Sequence, residues 1–465
     1  MLKVVTKLAP MNTNTSIPIY EDDDIARALN WFLSFMSAKH WETRRASIEK
    51  SVKIEIGRTE PKDASLSDMK PLSVRDDRIG WYLYLVDCLL NDMPSYELIQ
   101  GARVVPLFKR IGMDLDFLKS VEGIELKVKR LLKQEKSQAD AILFEMLTAL
   151  MWVKNGWNVS FIPTTSGKSP DLLAKKCGEE FYIECKRLAQ SSTYAIHERD
   201  KWLKMLTFIK DDLMPRNLLL DVIFHVELHT LDDTFLREQL SGKLPLIVKP
   251  GCIISNETWT VNVSFVDIDA INRHLDRYFV KYASTQLRYL IGGERAEEIG
   301  FSSGMKAKYF PIGEGSGNNL YISGIAKAFG VYWQCDAPIS IDTKARDIWC
   351  QLRDAIEQFP EQKNAVVHIG LETLDGIKVA KERLSKIEKT VSFWDSGNKN
   401  VDWVYCHFFQ SYTPIKEVWV FDETVRWFAK DMWNVINDPL EQGCFLIIPW
   451  DVPDDDNVHW NKPQP

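Results

Sequence analysis

One helix restricts what this chain can fold into more than any other segment. From Ala139 to Lys154 the sequence is apolar almost all round, with Ile142, Leu143, Phe144, Met146, Leu147, Leu150, Met151 and Trp152. A helix of that kind belongs in a core. Asn155-Gly156 ends it as a C-cap. Its interior also carries one carboxylate, Glu145. An unpaired buried charge is strongly disfavoured, so Glu145 must find a partner, meet a cation or face a cleft. Taken alone, it reads equally well as a carboxylate at the edge of the apolar stripe.

The residues after this helix alternate. Residues 157–162 have the period of a strand. A loop covers 163–169, a second strand 171–174, a turn 175–180 and a third strand 181–188. Residues 192–213 read as a helix with Trp202, Leu206, Ile209 and Leu213 on one stripe. Residues 217–228 are rich in Leu, Val, Ile and Phe, as a strand would be. The order is α-β-β-β-α-β.

The rest of the chain divides around that core. Residues 1–119 read as mainly helical. Glu21, Asp22, Asp23 and Asp24 suit a helix N-terminus, and Ile25, Leu29, Phe32 and Met36 follow at helical spacing. A polar break covers 61–71. The alternating core spans 120–231, a mixed α/β region 232–448, and an acidic tail of disordered character 449–465. With 465 residues, the chain has room for several such units. Eight scattered cysteines, none at C-x-x-C spacing, read as reduced thiols. No secretory signal and no bilayer-length apolar stretch is visible, so a cytoplasmic protein is expected. The net charge of −7 argues against coating nucleic acid by bulk attraction. It leaves room for a local basic surface. Lys127, Lys129, Arg130, Lys133 and Lys136 form one run, readable as a solvated helix face or as a phosphate-contacting one.

Three acids and a lysine carry the chemistry. In Ser169-Pro170-Asp171 the proline presets the backbone and Asp171 projects from the start of the second strand. In Tyr182-Ile183-Glu184-Cys185-Lys186-Arg187, side chains two apart share a face. Glu184 and Lys186 therefore lie together, while Ile183 and Cys185 take the core side. Singly, a turn aspartate and a charged strand pair are ordinary. In combination they converge. Glu184 follows Asp171 by thirteen residues with a turn between, which sets both carboxylates at one end of two adjacent antiparallel strands. The preceding helix can lay Glu145 over the same spot. Three such carboxylates make a hard oxygen site suited to Mg²⁺ or Mn²⁺. Lys186 beside it can orient a water or stabilise developing charge.

Glu145, Pro170-Asp171 and Glu184-Cys185-Lys186, on an α-β-β-β-α-β frame, together resemble the PD-(D/E)XK nuclease superfamily. Restriction endonucleases, Holliday-junction resolvases and Mrr-like enzymes belong to it. The resemblance covers about residues 137–228. It implies an α/β, restriction endonuclease-like fold. It also implies that Asp171 and Glu184 bind metal, that Cys185 lends its backbone carbonyl, that Lys186 serves the attacking water and that Glu145 completes the site. The activity implied is Mg²⁺-dependent endonucleolytic cleavage of DNA in restriction or genome defence, with a homodimer able to cut two strands. Two alternatives stay open: a nucleic-acid-binding or assembly module without catalysis, and a nuclease acting on RNA or branched DNA.

Lys168 and Arg187 flank the motif, and Tyr194, His197 and Arg199 open the next helix, whose N-terminus can cradle a phosphate. These five are candidate nucleic-acid contacts, or simply solvated side chains. Ser166-Gly167-Lys168-Ser169 has the ending of a phosphate loop, but Ile162 stands where that motif needs glycine and Pro170 follows. His225, Glu227 and His229 alternate on an expected strand. The zinc-protease pattern needs a different spacing on a helix, so an exposed polar face is expected. Residues 313–319 read as a glycine-rich loop.

Overall fold

The structure, a computed structural model, describes residues 2–7, 20–57, 76–163, 168–188, 191–294, 299–313, 319–413 and 417–447. The expected break at 61–71, Ser166-Gly167, most of the loop at 313–319 and the tail at 449–465 lie outside the described residues.

The described strands are β1 (Leu2–Lys7), β2 (Asn158–Phe161), β3 (Leu172–Lys176), β4 (Glu179–Arg187), β5 (Leu218–Phe224), β6 (Gly251–Ser255), β7 (Trp259–Phe265), β8 (Val280–Lys281), β9 (Gly300–Pro311), β10 (Leu320–Cys335), β11 (Asn364–Glu372), β12 (Asn400–Tyr412) and β13 (Glu417–Ala429). They build two mixed sheets. The first runs β1-β13-β12-β11-β4-β3-β2, and the second β6-β7-β5-β10-β8, with β9 also on β10. With helices packed against both, the molecule is mixed α/β.

The first sheet is organised around a hairpin. β3 and β4 pair antiparallel, with Leu172 opposite Ile183 and Lys176 opposite Glu179. Cys177 and Gly178 join them, at φ values of 51° and 89°. Positive φ at both central residues is the turn whose twist matches a hairpin. On its other side β4 runs parallel to β11, with Glu184 opposite Val367, and β11 runs parallel to β12.

The helix Ala139–Lys154 and strands β2, β3 and β4 follow one another in the expected order. The expected closing strand does not join them. Residues 217–228 supply β5, which lies in the second sheet. The parallel place beside β4 goes to β11, reached only after residues 188–363 have built the second sheet. All of β11 except Asn364 is buried, whereas β5 alternates buried and half-buried positions; both are interior strands with a parallel neighbour, β11 beside β4 and β12, β5 beside β10. The N-terminal region is helical where described, except that β1 extends the first sheet beside β13.

The Ala139–Lys154 helix packs one face of the first sheet, in a core shared with Leu172, Ala174, Phe181 and Ile183. It stops at Asn155, and Gly156 takes φ 82°, the left-handed position that ends many helices. Helices Trp349–Ile356 and Ile377–Phe393 contribute Leu352, Ala355, Ala380 and Ile387 to a second core with Val367, Ile369 and Val404. Among the described residues no helix is long and apolar enough to cross a membrane.

Candidate active site

Asp171 stands one residue before β3 and is tied to β4 twice. Its N–H donates to the Ile183 carbonyl at 3.1 Å, and its Oδ2 accepts the Cys185 N–H at 2.8 Å. Extending the β3–β4 register by one step sets Asp171 against Glu184. The charge of each carboxylate therefore acts on the other.

Glu184 is only 2% exposed. Its Oε1 accepts from Lys186 Nζ at 2.5 Å and from Gln358 Nε2 at 2.8 Å. Its Oε2 is buried with no hydrogen-bond partner. Glu145 is also buried and forms an ion pair with Lys127, from the helix Ile124–Lys133.

Burial, and then the charge of Asp171, pushes Glu145 up to about 7 and Glu184 up to about 8. Burial raises Asp171 as well, against the opposing pull of the Cys185 N–H, Lys127 and Lys186. Three carboxyl groups thus share two ammonium groups, so the cluster is short of one positive charge when all three are ionised.

Among the described residues, no three His, Cys, Asp or Glu side chains stand as a ready metal-ligating group. The acids are turned toward Lys127, Lys186 and the Cys185 N–H instead. The donor set still fits a hard cation. It offers carboxylate oxygens, and one of them, Glu184 Oε2, is buried and unpartnered. Cys185 takes part through its backbone; its thiol packs against the apolar core, and burial pushes its pKa up.

Three of the five candidate nucleic-acid contacts, Arg187, Lys168 and Tyr194, are held by carboxylates of this chain. Arg187, expected near the substrate, turns into the interior. It pairs with Glu372, and its guanidinium lies 5.0 Å from the Phe409 ring centre. Having the parity of Ile183 and Cys185, it points away from the Glu184 face. Arg103 joins the same network, donating Nε to Glu372 at 2.8 Å and Nη2 to Asp140 at 2.7 Å. Lys168 is exposed and pairs with Glu357. Tyr194 donates to Glu227 at 2.9 Å. His197 and Arg199 are exposed on the helix Thr193–Thr207, whose first turn is capped by Ser192. The strand expected to carry His225, Glu227 and His229 ends at Phe224. His225 instead bonds Asp336 and Thr260, each at 2.9 Å.

Two site residues escaped the sequence reading of the motif. Gln358 lies 174 residues from Glu184, and no local pattern links them. Lys127 left a usable signal. Ile124, Val128 and Leu131 are the buried stripe of its helix, and Lys127 sits three residues after Ile124, beside that stripe. Comparison with protein-family models, curated proteins and solved structures finds no match to this chain.

Proposed function

We propose that this protein is a divalent-metal-dependent nuclease of the PD-(D/E)XK type, hydrolysing phosphodiester bonds of DNA. The observation that carries this reading is the convergence of the buried Glu145 and Glu184 on the half-buried Asp171, three acids against two ammonium groups, with Lys186 on the Glu184 face. Carboxylates raised by burial and by like-charged neighbours are a recurring feature of functional sites.

Asp171, Glu184 and Glu145 would hold Mg²⁺ or Mn²⁺, with the Cys185 carbonyl as a further donor. The ion would supply Lewis acidity and a bound water of lowered pKa. Lys186 positions the attacking water or stabilises charge on the phosphate oxygens. Gln358 holds Oε1 of Glu184, which fixes the orientation of that carboxylate and leaves Oε2 to the site. Endonucleolytic action in restriction or genome defence, as a homodimer, belongs to the same proposal and rests on the resemblance alone.

The test is supercoiled plasmid with Mg²⁺ or Mn²⁺ and with chelator. Nicking should require the metal. Asp171→Ala, Glu184→Ala and Lys186→Ala should each lower it by about a thousandfold or more while circular dichroism stays native. Absence of cleavage of plasmid, single-stranded DNA, branched DNA and RNA with either metal would end the proposal. Cleavage of RNA or branched DNA alone would keep the chemistry and change the substrate.

A further inference from the structure

The basic run of helix Ile124–Lys133 is not used uniformly. Lys129 pairs with Glu125 of its own helix at 3.2 Å, and both are exposed. Arg130 pairs with Glu135 in the following turn. Lys127 behaves differently. Its side chain is 17% exposed, against 49% for Lys129. It forms the ion pair with Glu145, and its charge also acts on Asp171. Its Nζ lies 5.5 Å from the centre of the Phe161 ring. An ammonium in so dry a place is costly unless carboxylates surround it.

We infer that Lys127 is the built-in counter-ion of the site, which a divalent cation must displace from Glu145 in order to bind. This rests on the nuclease reading above. The physical argument is competition for the same oxygens. A doubly charged ion and an ammonium group close to one carboxylate repel each other strongly in a poorly solvated site. Occupancy by one therefore weakens the other. Linkage makes the effect reciprocal: whatever draws Lys127 away from Glu145 tightens the cation by the same factor. A phosphate group of the substrate has the charge to do so. The site would then load its cation weakly when alone and strongly with nucleic acid present. Lys127 acts here through the carboxylates, as a positioning residue distinct from Lys186.

The experiment is calorimetric titration of the full chain with Mg²⁺ alone, at mildly alkaline pH, with no nucleic acid present. Lys127→Met should bind Mg²⁺ about tenfold more tightly than the parent, or better. Lys127→Arg, which keeps the charge, should bind as the parent does. Asp171→Ala should remove the binding, which places the titrated ion in this site. Equal or weaker binding by Lys127→Met, with its melting transition intact, overturns the inference and leaves the nuclease reading standing. If no variant binds Mg²⁺ in an Asp171-dependent way, both fall. Should Lys127→Met fail to fold, Lys127→Gln carries the same expectation.

Discussion

Two buried charge clusters meet strand β4, and they are built on opposite principles. Arg187 enters the first, where Arg78, Arg103 and Arg187 enclose Asp140 and Glu372. There cations outnumber acids. Burial works against the Glu372 carboxylate, but Arg103 and Arg187 hold it below its usual range. Glu184 and Lys186 enter the second, where acids outnumber cations and the carboxylates are pushed upward. Each cluster contains buried acids, Glu372 in the first and Glu145 and Glu184 in the second, so burial alone does not distinguish them. The balance of charge does. A network that satisfies its acids holds the fold together. One that leaves them short of positive charge is held at a cost in stability and can take up a cation.

The comparison can be broken most directly at Glu372. Glu372→Ala leaves Arg103 and Arg187 buried without their shared carboxylate, and should cost about 3–5 kcal/mol in urea unfolding. Glu184→Gln instead removes a charge from the cluster that has too few cations, and its unfolding free energy should stay within about 1 kcal/mol of the parent. If Glu184→Gln proves as damaging as Glu372→Ala, the two clusters are not different in kind.

A second measurement sharpens the contrast through pH. Glu145, Asp171 and Glu184 have native pKa values raised above their unfolded ones. The native state therefore binds more protons than the unfolded chain, and stability falls as pH rises. The contribution is fully present below the unfolded carboxylate range and is lost through the raised native values. In chelator, the melting temperature should decline from about pH 5 to about pH 8. Asp171→Asn should flatten that decline, and Mg²⁺ should reverse it at the alkaline end. A metal-free protein that becomes more stable across this window would contradict the charge deficit. Glu372 has the opposite sign, since its lowered value makes its contribution fade only under acid.

The smallest effect is expected at Lys168. Its pair with Glu357 is exposed on both sides, and exposed pairs contribute little. Lys168→Ala should change unfolding free energy by less than about 1 kcal/mol. If the residue touches a DNA backbone, the same variant should bind duplex DNA several-fold more weakly, with a shallower salt dependence. Unchanged DNA affinity would leave Lys168 as a surface charge only.

The parts of the site that were legible in the sequence are those governed by short periods. Glu184 and Lys186 share a strand face because side chains repeat every two residues. Asp171 reaches them because a two-residue turn, Cys177-Gly178, fixes the register of β3 on β4. The failures arise where distant surfaces meet. The parity of Arg187 with Ile183 and Cys185 was legible in the strand, but its partner Glu372, which lies 185 residues away, was not.

The sequence by itself determined the apolar helix, the hairpin and the row of Asp171, Glu184 and Lys186, because each follows from backbone geometry over a few residues. Only the tertiary structure decided that β11 rather than β5 lies beside β4, and that Gln358 and Lys127 come to the acids. The physical reason is that strand neighbours and buried ion pairs are selected by which surfaces can be covered and which charges can be compensated. Those conditions are set by the whole chain and leave no local period to read.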